Sequence, residues 1–219
     1  VTETRRGRPR TPLLSRESIV EATLKVIDAE GITAVGMRSV ARALGVDPKS
    51  LYNHVDGKDG LLDAVTEHLL GSLVLPPRTG NARKDLHAIA DSFRAQALKH
   101  PRAAPLVLTR QLASQKALAP VNAVLSVLKD AGAGTEEAVH MLRMLLATLI
   151  GTLLREVSAA PTFGRGDRAD TLRTSGFEVL EDTAEHLARF DRQAEYEYAV
   201  DLAVTAVLQR IDLRGRLGP

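Results

Sequence analysis

Three observations on the 219-residue chain predict an all-α protein. Apolar residues recur at helical spacing along almost its whole length. No stretch shows the apolar/polar alternation between turn residues that marks a half-buried strand. The composition, 44% hydrophobic and 26% charged, is that of a globular protein able to fill a core. The absence of cysteine excludes disulfides, thiolate metal sites, iron–sulfur clusters and cysteine nucleophiles, and it suits a reducing compartment. With 3% aromatic residues and no Trp, the chain is poorly equipped to stack single-stranded bases.

The elements follow in order. A first helix begins after the N-cap Ser15, with Glu17 favourably placed at the positive end of the helix dipole. Its apolar face is Ile19, Ala22, Thr23, Val26 and Ile27, and Gly31 is expected to close it in the left-handed conformation. A short second helix spans 37–44, with Met37, Val40, Ala41 and Leu44 inward and Gly45 as its stop. Asp47 caps a third, whose first position is Pro48, where a missing N–H costs nothing, and Leu51 faces inward. The fourth runs from about Lys58 to Val74, with Leu61, Leu62, Val65 and Leu69 on one side, and Pro76 and Pro77 end it. Further helices are predicted over about 84–99, 102–111, 118–131, 136–159, 176–190 and 193–211. Between 160 and 175 the Gly-rich, charged sequence predicts a mobile loop. The basic N-terminus is not followed by the apolar region of a signal peptide. The longest apolar run, from Met144 to Leu154, is well short of the roughly 20 residues of a membrane-spanning helix. A cytoplasmic protein with no membrane partner is expected.

The segment from Met37 to His54 carries the functional signal. Two short helices joined by Gly45-Val46-Asp47 form a helix-turn-helix pattern, whose second helix enters the major groove of DNA. A helical hairpin of purely structural use has the same outline. The second helix, however, offers Lys49, Ser50, Tyr52, Asn53 and His54 around its anchor Leu51, rather than the Glu/Lys mixture of a solvated face. Lys pairs with guanine O6/N7, Asn with adenine N6/N7, and Ser with either edge. Tyr and His suit phosphate oxygens beside the groove. Lys58, at the start of a helix, adds a phosphate contact where backbone N–H groups already point outward, and Arg38 reaches a base or the backbone.

The segments Leu14-Ser-Arg-Glu-Ser-Ile-Val-Glu-Ala, Met37-Arg-Ser-Val-Ala-Arg-Ala-Leu-Gly-Val, Ser50-Leu-Tyr-Asn-His-Val and Lys58-Asp-Gly-Leu-Leu-Asp-Ala-Val run without gaps through residues 13–74. Together they resemble the DNA-binding domain of the TetR family of bacterial transcription regulators, nearest its tetracycline-repressor branch. The resemblance implies an N-terminal three-helix helix-turn-helix domain with its connecting helix (13–74). It also implies a larger C-terminal helical domain (83–213) that binds a small-molecule effector and forms a homodimer through a four-helix bundle. The partner is double-stranded DNA carrying a palindromic operator. Arg38, Pro48, Lys49, Ser50, Tyr52, Asn53, His54 and Lys58 inherit the DNA-contacting positions. Gly36 stands where the family usually has Thr, so a hydroxyl cap and phosphate contact are lost, and Pro48 cannot make a polar base contact. Ahead of this domain, residues 1–12 read as a flexible basic arm. Its Arg5, Arg6, Arg8 and Arg10 around a Gly-Arg-Pro core suit a narrow minor groove, and a solubilising tail is the alternative.

Two apolar helices, 136–159 and 193–211, suit the dimer bundle. Aligned with the tetracycline repressors, Val74, Ile89 and Val107 replace a histidine, an asparagine and the metal-ligating histidine, so neither tetracycline nor a metal or other cofactor is expected. Val74, Ile89, Phe93, Val107, Leu108, Met141 and Met144 are the candidate lining of a pocket for a mostly apolar effector, with ordinary core packing as the competing and commoner use of such residues. His87, His100, His140 and His186 show no metal-ligand spacing. No phosphate loop, nucleophile elbow or His-Glu-x-x-His helix is present, which argues against an enzyme and leaves no catalytic residue to name. The sequence reads best as a ligand-released repressor; an activator and a helical adaptor without DNA binding are the alternatives. The net charge of +2 conceals a polarity: residues 1–16 carry +4, residues 17–60 carry −2, and the remainder is balanced.

Overall fold

The computed structural model describes residues 14–110, 115–157 and 168–217. Its helices are α1 (Arg16–Glu30), α2 (Met37–Leu44), α3 (Pro48–Leu51), α4 (Gly57–Gly71), α5 (Ala82–Lys99) and α6 (Ala104–Thr109). They continue with α7 (Gln115–Asp130), α8 (Thr135–Val157), α9 (Arg168–Arg173), α10 (Glu178–Ala188) and α11 (Arg192–Leu217). A single 3-10 turn, Ile32–Ala34, lies between α1 and α2, and no strand occurs among the described residues. The chain forms two compact units, one ending at Val65 and the other starting at Thr66.

In the first unit α1 opens with a reciprocal cap. The Ser15 hydroxyl accepts the Ser18 N–H at 3.1 Å while Ser15 N–H donates to Ser18 Oγ at 3.0 Å, satisfying two donors that a helix start leaves open. Ile19 and Ile27 are wholly buried, and the buried Thr23 hydroxyl donates to the Ile19 carbonyl at 2.7 Å. Gly31 does not take the left-handed helical conformation expected of it. With φ +90° and ψ 170° it turns the chain into an extended exit, still a conformation that favours glycine. α2 packs on α1, and α3 on α2.

In the second unit α8 is the central helix, packed against α11, α7, α5 and α6. By length and composition alone this 23-residue helix could cross a membrane, which the shorter apolar run did not suggest. Packing in the core takes up only part of that character, since 33% of its most apolar 18-residue window is buried. Leu86, Ile89, Val127, Leu128, Met141, Leu153, Val200 and Val204 fill the space between these helices. α4 ends at Gly71, before the Val74 boundary; the following Ser72 hydroxyl donates back to the Leu69 carbonyl, and the two prolines come after the helix has already stopped. α7 begins earlier than expected and carries Pro120 within it. Part of the expected loop at 160–175 is helical: α9 packs on α10, and its Arg173 pairs with Glu185.

Two buried carboxylates stand out. Glu156, 5% exposed, receives the Arg94 guanidinium side-on, through Nε at 2.9 Å and Nη2 at 2.6 Å. The same guanidinium lies 4.6 Å from the centre of the Tyr196 ring, and the Tyr196 hydroxyl donates to Asp91 at 2.8 Å. Burial and the Asp91 bond push the Tyr196 hydroxyl far above its ordinary pKa. The group ties α5, α8 and α11 together.

The second carboxylate, Asp85, accepts both the Thr79 hydroxyl (2.7 Å) and the Thr79 N–H (2.8 Å) on one oxygen. These bonds outweigh burial and hold its pKa below the ordinary value of 3.8. A carboxyl depressed in the folded state contributes stability above its unfolded pKa and loses it as pH falls through the folded value. Thermal melts of Asp85→Asn between pH 6 and pH 2 should therefore show less acid destabilisation than the parent. Parallel curves would remove Asp85 from that role.

Candidate nucleic-acid interface and ligand cavity

The turn between α2 and α3 is built by local chemistry. Gly45, at φ +68° and ψ 32°, is left-handed. Its N–H donates to the Arg42 carbonyl at 3.2 Å, and Val46 N–H donates to Ala41 at 3.0 Å, so the last carbonyls of α2 are satisfied by a Schellman motif. Asp47 then accepts the Lys49 N–H at 2.8 Å and starts α3. Gly36 has no hydroxyl to cap the first N–H groups of α2, and only the reverse half of a capping box is present: Ser39 Oγ accepts the Gly36 N–H at 3.0 Å.

α3 holds four residues, with Leu51 wholly buried as its anchor. Tyr52, Asn53 and His54 do not continue it; they form turns in which the Leu51 carbonyl accepts both His54 and Val55 N–H groups. All three are exposed, as are Lys49 and Arg38, while Pro48 and Ser50 are half-buried. No side chain of Arg38, Lys49, Tyr52, Asn53 or His54 is engaged in a hydrogen bond or ion pair within the described residues. Tyr52, 59% exposed, is a large aromatic ring presented to solvent beside these donors, and no carboxylate among the described residues pairs with them. Lys58, in the first turn of α4, extends its ammonium to the Thr33 carbonyl at 3.5 Å. Arg5, Arg6, Arg8 and Arg10 lie outside the described residues.

The second unit contains a cavity of about 220 Å³ bounded by α5, α6, α7, α8 and α11. Of the residues expected at a ligand site, it brings together Ile89, Phe93 and Val107. Val74 is not among them: it is 82% exposed in the non-helical segment after α4. Met141 and Met144 line a different, open groove between α8 and α11, beside Glu137. That carboxylate accepts Arg210 Nε at 2.7 Å and also pairs with Arg214, which holds its pKa below the ordinary range. Leu108 belongs to α6, but its side chain is outside those described. Leu142, Leu145 and Leu149 supply the α8 wall and Leu70 of α4 part of another. Their helical spacing was visible in the sequence, but it marks a core stripe equally well. Arg110 and Thr148, the polar residues of the lining, gave no such signal. Among the described residues no group of three or more His, Asp or Glu is placed to hold a metal.

Comparison with known proteins gives the same assignment from outside the structure. Residues 19–65 match the family of bacterial regulatory proteins, tetR family, and residues 76–198 match the tetracyclin repressor-like C-terminal domain. An HTH-type transcriptional regulator of Saccharopolyspora erythraea is 32% identical over 213 residues, covering 90% of this chain and 88% of its own. The HTH-type transcriptional repressor DrrR1 of Streptomyces coeruleorubidus is 30% identical over 152 residues, covering 68% of this chain and 56% of its own. The structure of ActR from Streptomyces coelicolor in complex with actinorhodin superposes with a TM-score of 0.80 over 90% of this chain and 96% of that one; at 24% identity this likeness speaks for the fold. With a helix-turn-helix whose donors face solvent, an all-helical second unit and family matches over both, the chain belongs to the TetR family of bacterial transcriptional regulators.

Proposed function

We propose that this regulator is a cytoplasmic homodimeric repressor that holds a palindromic operator and releases it when a mostly apolar small molecule enters the cavity of the second unit. One observation carries the reading: a single chain combines an uncommitted polar recognition surface with an apolar cavity in its second unit. DrrR1 bears the name of a repressor and ActR is known with a bound small molecule, which supports both halves of it. Arg38, Lys49, Ser50, Tyr52, Asn53, His54 and Lys58 contact DNA in this reading, Pro48 packs against it, and the arginines of the arm add sequence-tolerant affinity. Neither a metal, a cofactor nor a catalytic residue takes part, and no membrane is involved.

Dimerisation has its surface on α8 and α11. Met144, Ala147 and Gly151 of α8 and Tyr198, Leu202 and Ala206 of α11 are exposed at helical spacing, an apolar and small-residue stripe suited to a second copy in a four-helix bundle. Recognition helices of a dimer enter successive major grooves when about 34–36 Å apart. α4 carries Lys58 in its first turn and Leu70, a cavity residue, near its end. A ligand that prefers one position of α4 shifts the dimer away from that spacing and lowers DNA affinity by its differential binding energy.

Selection of duplexes from a random pool by the full chain is the test, and it should return a palindrome. On that sequence Lys49→Ala should lose about 1–3 kcal/mol of discrimination at one or two base pairs. Lys58→Ala should weaken all duplexes alike and reduce the salt slope by about one. A pool without an enriched palindrome would refute the repressor reading.

A further inference from the structure

Among the described residues, the cavity wall joins hydrocarbon to one charged side chain, Arg110. The lining that the described residues contribute includes Arg110 and Thr148 but no Asp or Glu. Arg110 is the C-cap residue of α6, and it is half-buried. A guanidinium does not lose its proton in a protein. Beside a low-dielectric wall its field reaches into the cavity more strongly than it would through water. Arg110 already interacts within the chain, and five N–H donors in a planar fork can serve that contact and a ligand together. Thr148 Oγ1 donates to the Met144 carbonyl at 3.1 Å, which leaves its lone pairs for a ligand donor. A neutral apolar molecule filling this space strips water from the guanidinium and gives nothing back. A cation is repelled. An anion restores the lost solvation through charge-assisted hydrogen bonds.

We infer that the effector is an amphiphilic organic acid, an apolar body bearing one ionised oxygen group such as a carboxylate, sulfonate or phenolate, and that Arg110 is the residue that holds that group. The inference rests on the cavity being the effector site, and the test separates the two. The full chain is titrated with two fluorescent probes of nearly the same aromatic body, anionic 1-anilinonaphthalene-8-sulfonate and neutral N-phenyl-1-naphthylamine. Arg110→Gln should weaken the anionic probe about ten- to a hundred-fold, the range for hydrogen bonds to a charged group. It should leave the neutral probe within about twofold, and Arg110→Lys should retain much of the anion binding because its charge persists. Leu145→Trp or Ala90→Phe, which fill the cavity, should abolish binding of both probes, with thermal melts confirming that the variants fold. Equal weakening of the two probes by Arg110→Gln, or no weakening of the anion, overturns the role of Arg110 while leaving the cavity as the effector site. Probe binding that survives both filling variants overturns the cavity assignment itself and the inference with it.

Discussion

Arg94→Met should destabilise the second unit by about 3–5 kcal/mol, the usual cost of stripping one partner from a buried ion pair. Glu156 is 5% exposed and takes two hydrogen bonds from the Arg94 fork, so methionine would strand a carboxylate with neither water nor a cation beside it. The cation–π contact with Tyr196 disappears in the same step. Removing both charges is a different experiment. In Arg94→Met/Glu156→Leu the space is filled by hydrocarbon and no charge stays buried, so most of the loss should be recovered. Tyr196→Phe, which gives up only the bond to the exposed Asp91, should cost about 1 kcal/mol. The exposed pair Arg83–Asp201 provides the contrast: Arg83→Ala should change stability by about 1 kcal/mol or less. Urea unfolding followed by helical circular dichroism measures all four. A double variant no more stable than Arg94→Met would show that packing around the guanidinium, rather than charge pairing, holds these helices.

That tie also marks where the sequence stops being informative. Arg94 and Glu156 are 62 positions apart on separate helices, and no local pattern connects them. The helix-turn-helix lies at the other extreme. Ser15, Gly45, Asp47 and Pro48 each act on backbone groups within a few residues, and the sequence alone assigned their roles as caps, stop and first helical residue correctly. Tyr52 to His54 were placed on a helix that ends at Leu51, because the carbonyl geometry that closes α3 leaves no composition signal. α9 went unseen for a related reason: Leu172 is its only large apolar residue, and it rests on tertiary packing with α10. The cavity was half legible. α8 is so rich in leucine and methionine that periodicity could not say which of its faces borders the cavity, and Met141 and Met144 line the open groove beside α11 instead. Ile89, Phe93 and Val107 all border the cavity, two of them from α5 and one from α6.

Leu51→Ala should abolish operator binding although leucine at this position touches no base. Its side chain is wholly buried, and it is the only buried residue of α3. Truncating a core leucine costs about 2–5 kcal/mol through lost transfer energy and the cavity left behind. A unit of about 50 residues has a total stability of only roughly 3–8 kcal/mol at usual per-residue values, so the change consumes much or all of it. The loss falls on the element that orients Lys49 and Ser50, and on the carbonyl that accepts the His54 and Val55 amides. The second unit has its own core, with Leu128, Leu153 and Val204 at its centre, so it should still melt cooperatively and still bind an apolar probe. Leu51→Met conserves volume, should cost less than about 1.5 kcal/mol, and should restore binding. Tyr52→Ala, one residue further on at an exposed position, separates stability from contact: the first unit should melt as before while operator affinity falls. If Leu51→Ala kept full operator affinity, α3 would not be the element that presents this protein to DNA.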